Sequence, residues 1–271
     1  MNTMIDSGVQ ILSMSVLRYF LLAGIPFILF YLLFPNRFNR FKIQQRLASH
    51  KDYIREVWHS MQSTLVFTAI ALLIWFTPFK AYTQVYDDAS NTYPFWYLSV
   101  NVVLSLILHD TYFYWLHRLL HHKSMYKYTH QVHHQSINPS PWTSYSFHII
   151  EAIAEGLVLV VIVLIIPMSQ LGMLLFTVSA FIINVYGHLG YEITPKWFRF
   201  TWLFEIFNTS VHHNMHHSKF KGNYGLYFRV WDRLMKTEHP DYVKEYDALQ
   251  QKRFKRLTTK TCADAMIEVP E

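Results

Sequence analysis

The feature that most restricts this chain is its series of long, nearly uncharged apolar blocks. Residues 11–34 run for 24 positions interrupted only by Arg18 and a few small polar side chains. Residues 64–79 and 95–108 follow, and the latter block can extend through Tyr112, Phe113, Tyr114 and Trp115, an aromatic cluster suited to a membrane interface. Residues 149–166 and 171–186 form a last pair, joined only by Pro167-Met168-Ser169-Gln170. Hydrocarbon offers no water to a backbone N–H or C=O, so spanning blocks of this kind have to be helical. One crossing takes about 17 to 25 residues, which leaves the second and third blocks short as they stand. The four-residue link predicts a hairpin that crosses and returns, with two dipping half-helices as the alternative. Pro35-Asn36-Arg37 does not resemble a cleavage site, so the first block reads as a retained transmembrane helix and not as a signal peptide. The expected fold class is all-α: a multi-pass membrane helical bundle of four or five crossings. Charged residues make up only 15% of the chain, where soluble domains average about 25%.

Lys and Arg orient such a bundle. Residues 35–62 carry six of them, 80–94 carry one beside Asp87 and Asp88, and the hairpin tip carries none. Residues 117–147 carry three, and the stretch after Gly187 carries thirteen. All the basic segments share the cytoplasmic side only if the N-terminus is outside, the chain crosses five times and the C-terminus is inside. The net charge of +6 then reflects a face against anionic headgroups, with Lys252-Arg253-Phe254-Lys255-Arg256 resting on it, and no nucleic acid is expected as a partner. Three regions are expected: transmembrane helices over 1–108, a histidine-rich region over 109–240 that contains the membrane hairpin 149–187, and a basic cytoplasmic tail over 241–271. The single cysteine, Cys262, excludes both an intrachain disulfide and a cysteine metal cage.

Sixteen histidines are a large excess, and ten of them crowd into two windows. The first holds His117 and His121, then His130, His133 and His134; the second holds His212, His213, His216 and His217. On a helix, positions i, i+3 and i+4 share a face. Each group is therefore expected to aim two or three imidazoles at one point. Neutral imidazole is a ligand for iron, zinc and copper. The eight ligands His117, His121, His130, His133, His134, His213, His216 and His217 exceed the needs of one ion and predict two. His188, at the end of the hairpin, is the ninth expected ligand. The hairpin begins after the first window and ends before the second, so its return brings all the groups to one membrane face, in a helical cap on the cytoplasmic side. His50, His59 and His239 read as ordinary surface or core histidines, and His109 lies off the ligand face.

Supporting roles are expected nearby. Asp110 lies two turns before His117, within reach of a ligand ring, or is simply an interfacial carboxylate. Glu192, four residues after His188, reads as a ligand or an acceptor. His148 and Glu151 form an i, i+3 pair at the start of the hairpin, and His212 adjoins the last group.

In this order the boxes resemble the fatty acid hydroxylase/sterol desaturase superfamily of membrane di-iron enzymes. The resemblance covers roughly residues 110–237. It includes Asp110 with Tyr114-Trp115 leading into His117-Arg118, the nine-residue step from His121 to His130, Asn138-Pro139 with Pro141-Trp142, Gly187-His188, and Asn223-Tyr224-Gly225 followed by Trp231-Asp232-Arg233. It implies that the nine histidines hold two iron ions, with zinc as a possible substitute. It also implies that O2 is a co-substrate and that a C–H bond of a lipid is hydroxylated, or desaturated, with hydroxylation slightly favoured. Two departures stand out: Glu192 where some members carry histidine, and Lys236 where glycine is usual. No cytochrome b5-like segment is present, so electrons are expected from a separate cytochrome b5-like or ferredoxin-like carrier. A metal transporter would set its ligands near the bilayer midplane, and a zinc hydrolase would need about three; neither suits nine histidines at helix ends.

Overall fold

The computed structural model describes residues 2–46, 48–90 and 92–254. Cys262 and the basic positions Lys255 and Arg256 lie outside the described residues. Seven helices carry the architecture, and the described residues contain no β-strand: α1 (Asn2–Phe27), α2 (His50–Phe76), α3 (Tyr97–Leu120), α4 (Ile149–Ile165), α5 (Gln170–Gly187), α6 (Ser210–Lys219) and α7 (Tyr242–Phe254). Short helical turns link them, among them Gln131–His134 between α3 and α4.

The long helices outrun the apolar blocks that predicted them. α1 begins at Asn2 and, just past Pro26, loosens into π-helical turns over Ile28–Leu33. α2 starts fourteen residues before its apolar block, at a capping box in which the Ser49 side chain accepts from the Asp52 N–H and the Asp52 side chain accepts from the Ser49 N–H. Its first half buries Glu56, Ser60, Ser63, Thr64 and Thr68 against protein, so polarity there marks an inward face and not a loop. α3 runs on to Leu120 and carries His117 to the end of the bundle. The predicted hairpin forms as α4 and α5, with Ser169 capping α5 by accepting from the Gly172 N–H.

Among the described residues, three helices are long and apolar enough to cross a membrane: Met4–Leu33, His50–Phe76 and Gln170–Gly187. α4 is apolar apart from Glu151 and Glu155, both buried, and has only 17 residues. α3 has 24 and dilutes its apolar half with His109, Asp110, His117 and Arg118. Val9, Leu17, Ile25, Leu32, Leu65, Val103, Ile107, Ile165 and Ile182 point outward along the long helices, the side-chain distribution of a surface solvated by lipid. Lipid tails supply no hydrophobic drive between helices, so close packing and polar links have to hold them. Gly156 lets α4 lie against α2: a Cβ there would meet Ile70 Cδ1 at 2.5 Å. The Arg18 guanidinium donates to Thr177 Oγ1 at 2.7 Å, joining α1 to α5, and the Tyr112 hydroxyl donates to the Ala154 carbonyl at 2.7 Å, joining α3 to α4.

Beyond one end of this bundle, α6, α7 and the segments between them form a cap. Phe204, Val211, Met215, Tyr242, Tyr246 and Leu249 make its apolar core. The first part of the expected tail is therefore a packed helix: Tyr242 and Tyr246 are fully buried, and the Arg253 guanidinium sits 4.5 Å from the Phe41 ring centre.

Candidate metal centre

The end of α3, the turn that follows it, the end of α5 and the face of α6 all meet where bundle and cap join. α3 supplies His117 and, as its C-terminal cap, His121. The chain then turns through Tyr126–Tyr128 into the short helix Gln131–His134, which His130 precedes. His188 caps α5, and α6 supplies His213, His216 and His217.

The nine predicted histidines come together in two adjoining groups. His117, His121, His130, His134 and His216 form one; His133, His188, His213 and His217 form the other, each with its ligand atoms within 4.8 Å of one another. The partition corrects the expectation that each box aims at a single point. His133 leaves His130 and His134 for the second group, and His216 leaves His213 and His217 for the first. The reason is helical geometry common to both boxes: positions i and i+4 lie about 40° apart round the axis, whereas the neighbours i+3 and i+4 diverge by about 100°. The boxes therefore interlock, with the His134 and His217 rings 4.9 Å apart across the two groups.

The hydrogen bonds at the outer nitrogens fix what the inner nitrogens offer. Nδ1–H of His117 donates to the Tyr224 carbonyl at 2.8 Å, that of His216 to Gly222 at 2.7 Å, that of His188 to Asn184 at 2.9 Å and that of His133 to Ser146 at 3.3 Å. Nδ1–H of His130 donates to the Glu151 carboxylate. A proton held at Nδ1 leaves a bare lone pair at Nε2. These lone pairs face each other: Nε2 of His117 and His130 are 2.9 Å apart, those of His134 and His216 3.0 Å, and those of His133 and His188 3.3 Å. Two lone pairs at such distances repel unless a cation lies between them. Metal–imidazole bonds of about 2.0–2.1 Å give nitrogen–nitrogen edges of about 2.9–3.4 Å around an octahedral or tetrahedral ion. The donor set fits a metal ion in each group.

Burial keeps the rings neutral. It pushes His130, His133, His134, His213 and His217 well below the ordinary histidine range, and neighbouring imidazoles push the same way. Burial also lowers His188 and His216 to about 4, against a partial restoring pull from the carbonyls at their Nδ1 atoms. His121 alone among the nine is half-buried.

The expected supporting residues fare differently. Glu151 accepts from a ring of the first group, as described. Asp110 bonds no imidazole: its Oδ1 accepts the backbone N–H groups of Leu226, Tyr227 and Phe228 at 3.2, 2.7 and 3.2 Å. Glu192 points away from both groups, accepting from the Tyr186 hydroxyl, the Thr194 N–H and hydroxyl, and the Val211 N–H, so it ties the end of α5 to the start of α6. His148 caps α4 by accepting from the Ile150 N–H. His212 joins neither group; its ring stands edge-on to Tyr242 with centres 4.9 Å apart.

One contributor had no assigned role in the sequence. The Asp232 carboxylate accepts the N–H groups of Tyr224 and Gly225 at 2.9 and 2.7 Å and the Thr237 hydroxyl at 2.7 Å. Asp110 and Asp232 together hold residues 224–228, and that segment carries the carbonyl that orients His117. The recurrent Asn223-Tyr224-Gly225 and Trp231-Asp232-Arg233 pieces are thus the two sides of one support.

Below the two groups lies a largely apolar cavity of about 90 Å³. Phe113 and Phe147 line it and touch the rings above, with centres 4.8 Å from His117 and 5.1 Å from His133.

Comparison with known proteins agrees with this geometry. The family model described as fatty acid hydroxylase matches residues 102–237, about half of the chain and inclusive of all nine histidines. A Delta(7)-sterol 5(6)-desaturase of Gibberella zeae is 31% identical over 219 residues, covering 78% of this chain and 65% of its own. Lathosterol oxidase of Rattus norvegicus is 28% identical over 200 residues, covering 72% and 65%. A Delta(7)-sterol 5(6)-desaturase of Aspergillus fumigatus is 30% identical over 256 residues, covering 84% and 78%. The first two are matched over less than two thirds of their own length. No solved structure matches the chain. The chain belongs to the fatty acid hydroxylase family.

Proposed function

We propose that this protein is a membrane-bound non-haem di-iron oxidoreductase that uses O2 to oxidise a C–H bond of a lipid. The observation that carries the reading is the convergence of nine neutral imidazoles into two adjoining sets of Nε2 lone pairs. Iron ions held there supply the activation of O2 with two reducing equivalents and the removal of hydrogen from an unactivated carbon. The protein's own part is to hold and orient. Glu151 and the carbonyls of Tyr224, Gly222, Asn184 and Ser146 keep the proton at Nδ1 of His130, His117, His216, His188 and His133 and turn those five Nε2 atoms inward. Phe113 and Phe147 form the floor between the histidines and the cavity, where the apolar body of a substrate can lie free of water.

Hydroxylation and desaturation share the first hydrogen removal. The relatives named above are desaturases and an oxidase of sterols, which supports desaturation of a sterol-like lipid beside the hydroxylation that the sequence favours. Helix lengths and the Lys and Arg distribution support four or five crossings, with the histidines on the cytoplasmic side. That side is open to a separate electron carrier, cytochrome b5-like or ferredoxin-like. The test incubates the purified, reduced protein with a sterol-containing lipid extract under ¹⁸O2. A new double bond or a labelled hydroxyl, formed only with O2, is the expected result; no O2-dependent product from any lipid overturns the proposal.

A further inference from the structure

We propose that Glu155 reads the polar group of the substrate, and that the lipid it selects is a neutral alcohol and not a fatty acid; this rests on the lipid-oxidising reading above. The starting observation is an inequality among the buried glutamates. Glu56 accepts from the Ser136 and Ser140 hydroxyls, Glu151 from the His130 ring, and Glu192 from Tyr186, Thr194 and Val211. Glu155 is 7% exposed, yet its carboxyl has no hydrogen-bond partner among the described residues; it lines the cavity instead. A buried polar group without a partner costs about 1–3 kcal/mol, so native proteins rarely leave one unless a ligand completes it.

Position narrows the ligand. Glu155 lies one helical turn beyond Glu151 on α4, about 6 Å farther from the histidines along the axis. His109 of α3 lines the same cavity; its Nδ1 is engaged by the Tyr227 hydroxyl at 2.9 Å, and its Nε2 has no partner among the described residues. A hydroxyl entering this space can donate to Glu155 and accept from, or donate to, His109. A carboxylate would instead have to shed its water beside Glu155 with no cation at hand, which costs far more than burying a hydroxyl. The one cation on the cavity wall, Arg18, is at the opposite end, bonded to Thr177, which precedes His188 by about 16 Å of helix. A hydroxyl at Glu155 therefore sits within a few bonds of the carbon presented to the metals, whereas an acid held at Arg18 would sit far from it.

The test measures saturation binding of three radiolabelled probes to the detergent-purified metal-loaded protein: lathosterol, its 3-methyl ether, which cannot donate a hydrogen bond, and stearic acid. The wild type should bind the alcohol about ten-fold or more tighter than the ether. Glu155→Gln should keep most of that preference, because its amide oxygen still accepts. Glu155→Leu should bind alcohol and ether alike, with unchanged metal content. A preference that is absent in the wild type, or that survives in Glu155→Leu, overturns the proposal. So does stearic acid binding more tightly than lathosterol and losing its affinity in Arg18→Gln. Metal content and O2-dependent lipid oxidation, measured on the same preparations, separate the two levels. Oxidation without alcohol preference sinks this inference alone, while protein that holds no metal and oxidises no lipid sinks the reading beneath it.

Discussion

The two histidine groups share the second and third boxes but differ in the rest: one adds His117 and His121 of the first box, the other adds His188, and they are supported in different ways. The group of five includes His121, its one half-exposed ring, and gives His130 a carboxylate partner in Glu151. The group of four is wholly buried and leans on the carbonyls of Asn184 and Ser146, while Nδ1 of His213 and of His217 has no partner among the described residues. A carboxylate behind an imidazole makes the ring more basic and fixes it more firmly than a carbonyl does. The difference teaches that the two groups are asymmetric: an ion held by the five would have a ligand to spare and a charged support, and one held by the four would have neither.

The largest effects should therefore fall on the group of four. His213→Ala is expected to lower lipid-oxidising turnover by at least about a thousand-fold, roughly 4 kcal/mol of barrier, and to remove one metal ion per chain, read by elemental analysis. His121→Ala leaves four imidazoles in its group and should retain more metal; equal loss in the two variants would break the comparison. Glu151→Gln tests the charged support and should cost about 10- to 100-fold in metal affinity or activity, with the loss confined to the group of five. An effect below two-fold would leave Glu151 without that role.

Acid sharpens the same picture for metal-stripped protein. Unfolded histidine binds its proton near 6.5, whereas His188 and His216 do so only near 4 because they are buried. Between those values the unfolded chain carries more protons, so the contribution of these residues to stability is complete above pH 6.5 and is lost as pH falls through 4. The thermal midpoint should drop over that window; a flat profile from pH 7 to pH 4.5 would contradict the assignment. The smallest effect is expected at Asp110→Asn, which weakens three backbone hydrogen bonds on the segment that orients His117. A loss of about 1–3 kcal/mol in stability, seen in thermal denaturation with metal content intact, is the expected outcome.

Eight of the nine converging histidines were legible in the sequence because i, i+3, i+4 spacing survives as geometry wherever the chain is helical, and His188 was legible from the return of the hairpin. Their partition is harder to read, because i+3 and i+4 count as one face by spacing yet diverge by about 100°, and tertiary packing decides which group each ring joins. Asp110 shares a helix face with His117, and the inference from spacing stopped there. Its real partners are N–H groups more than a hundred positions away, which local pattern cannot reveal. Glu192 failed as a ligand candidate for a similar reason, since the groups that engage it belong partly to α6. The start of α2 has a visible signal in the Ser49–Asp52 capping box, which an apolar-block reading passes over because Glu56 and Ser60 interrupt the hydropathy while facing other protein.

The central claim is a pair of metal ions held by interlocked boxes. Crystals of protein isolated with its native metal, measured just above and just below the iron absorption edge, test it most directly. Two anomalous peaks per chain are predicted, one enclosed by His117, His121, His130, His134 and His216 and the other by His133, His188, His213 and His217. A single peak shared by all nine rings, or none at either position, would contradict the account.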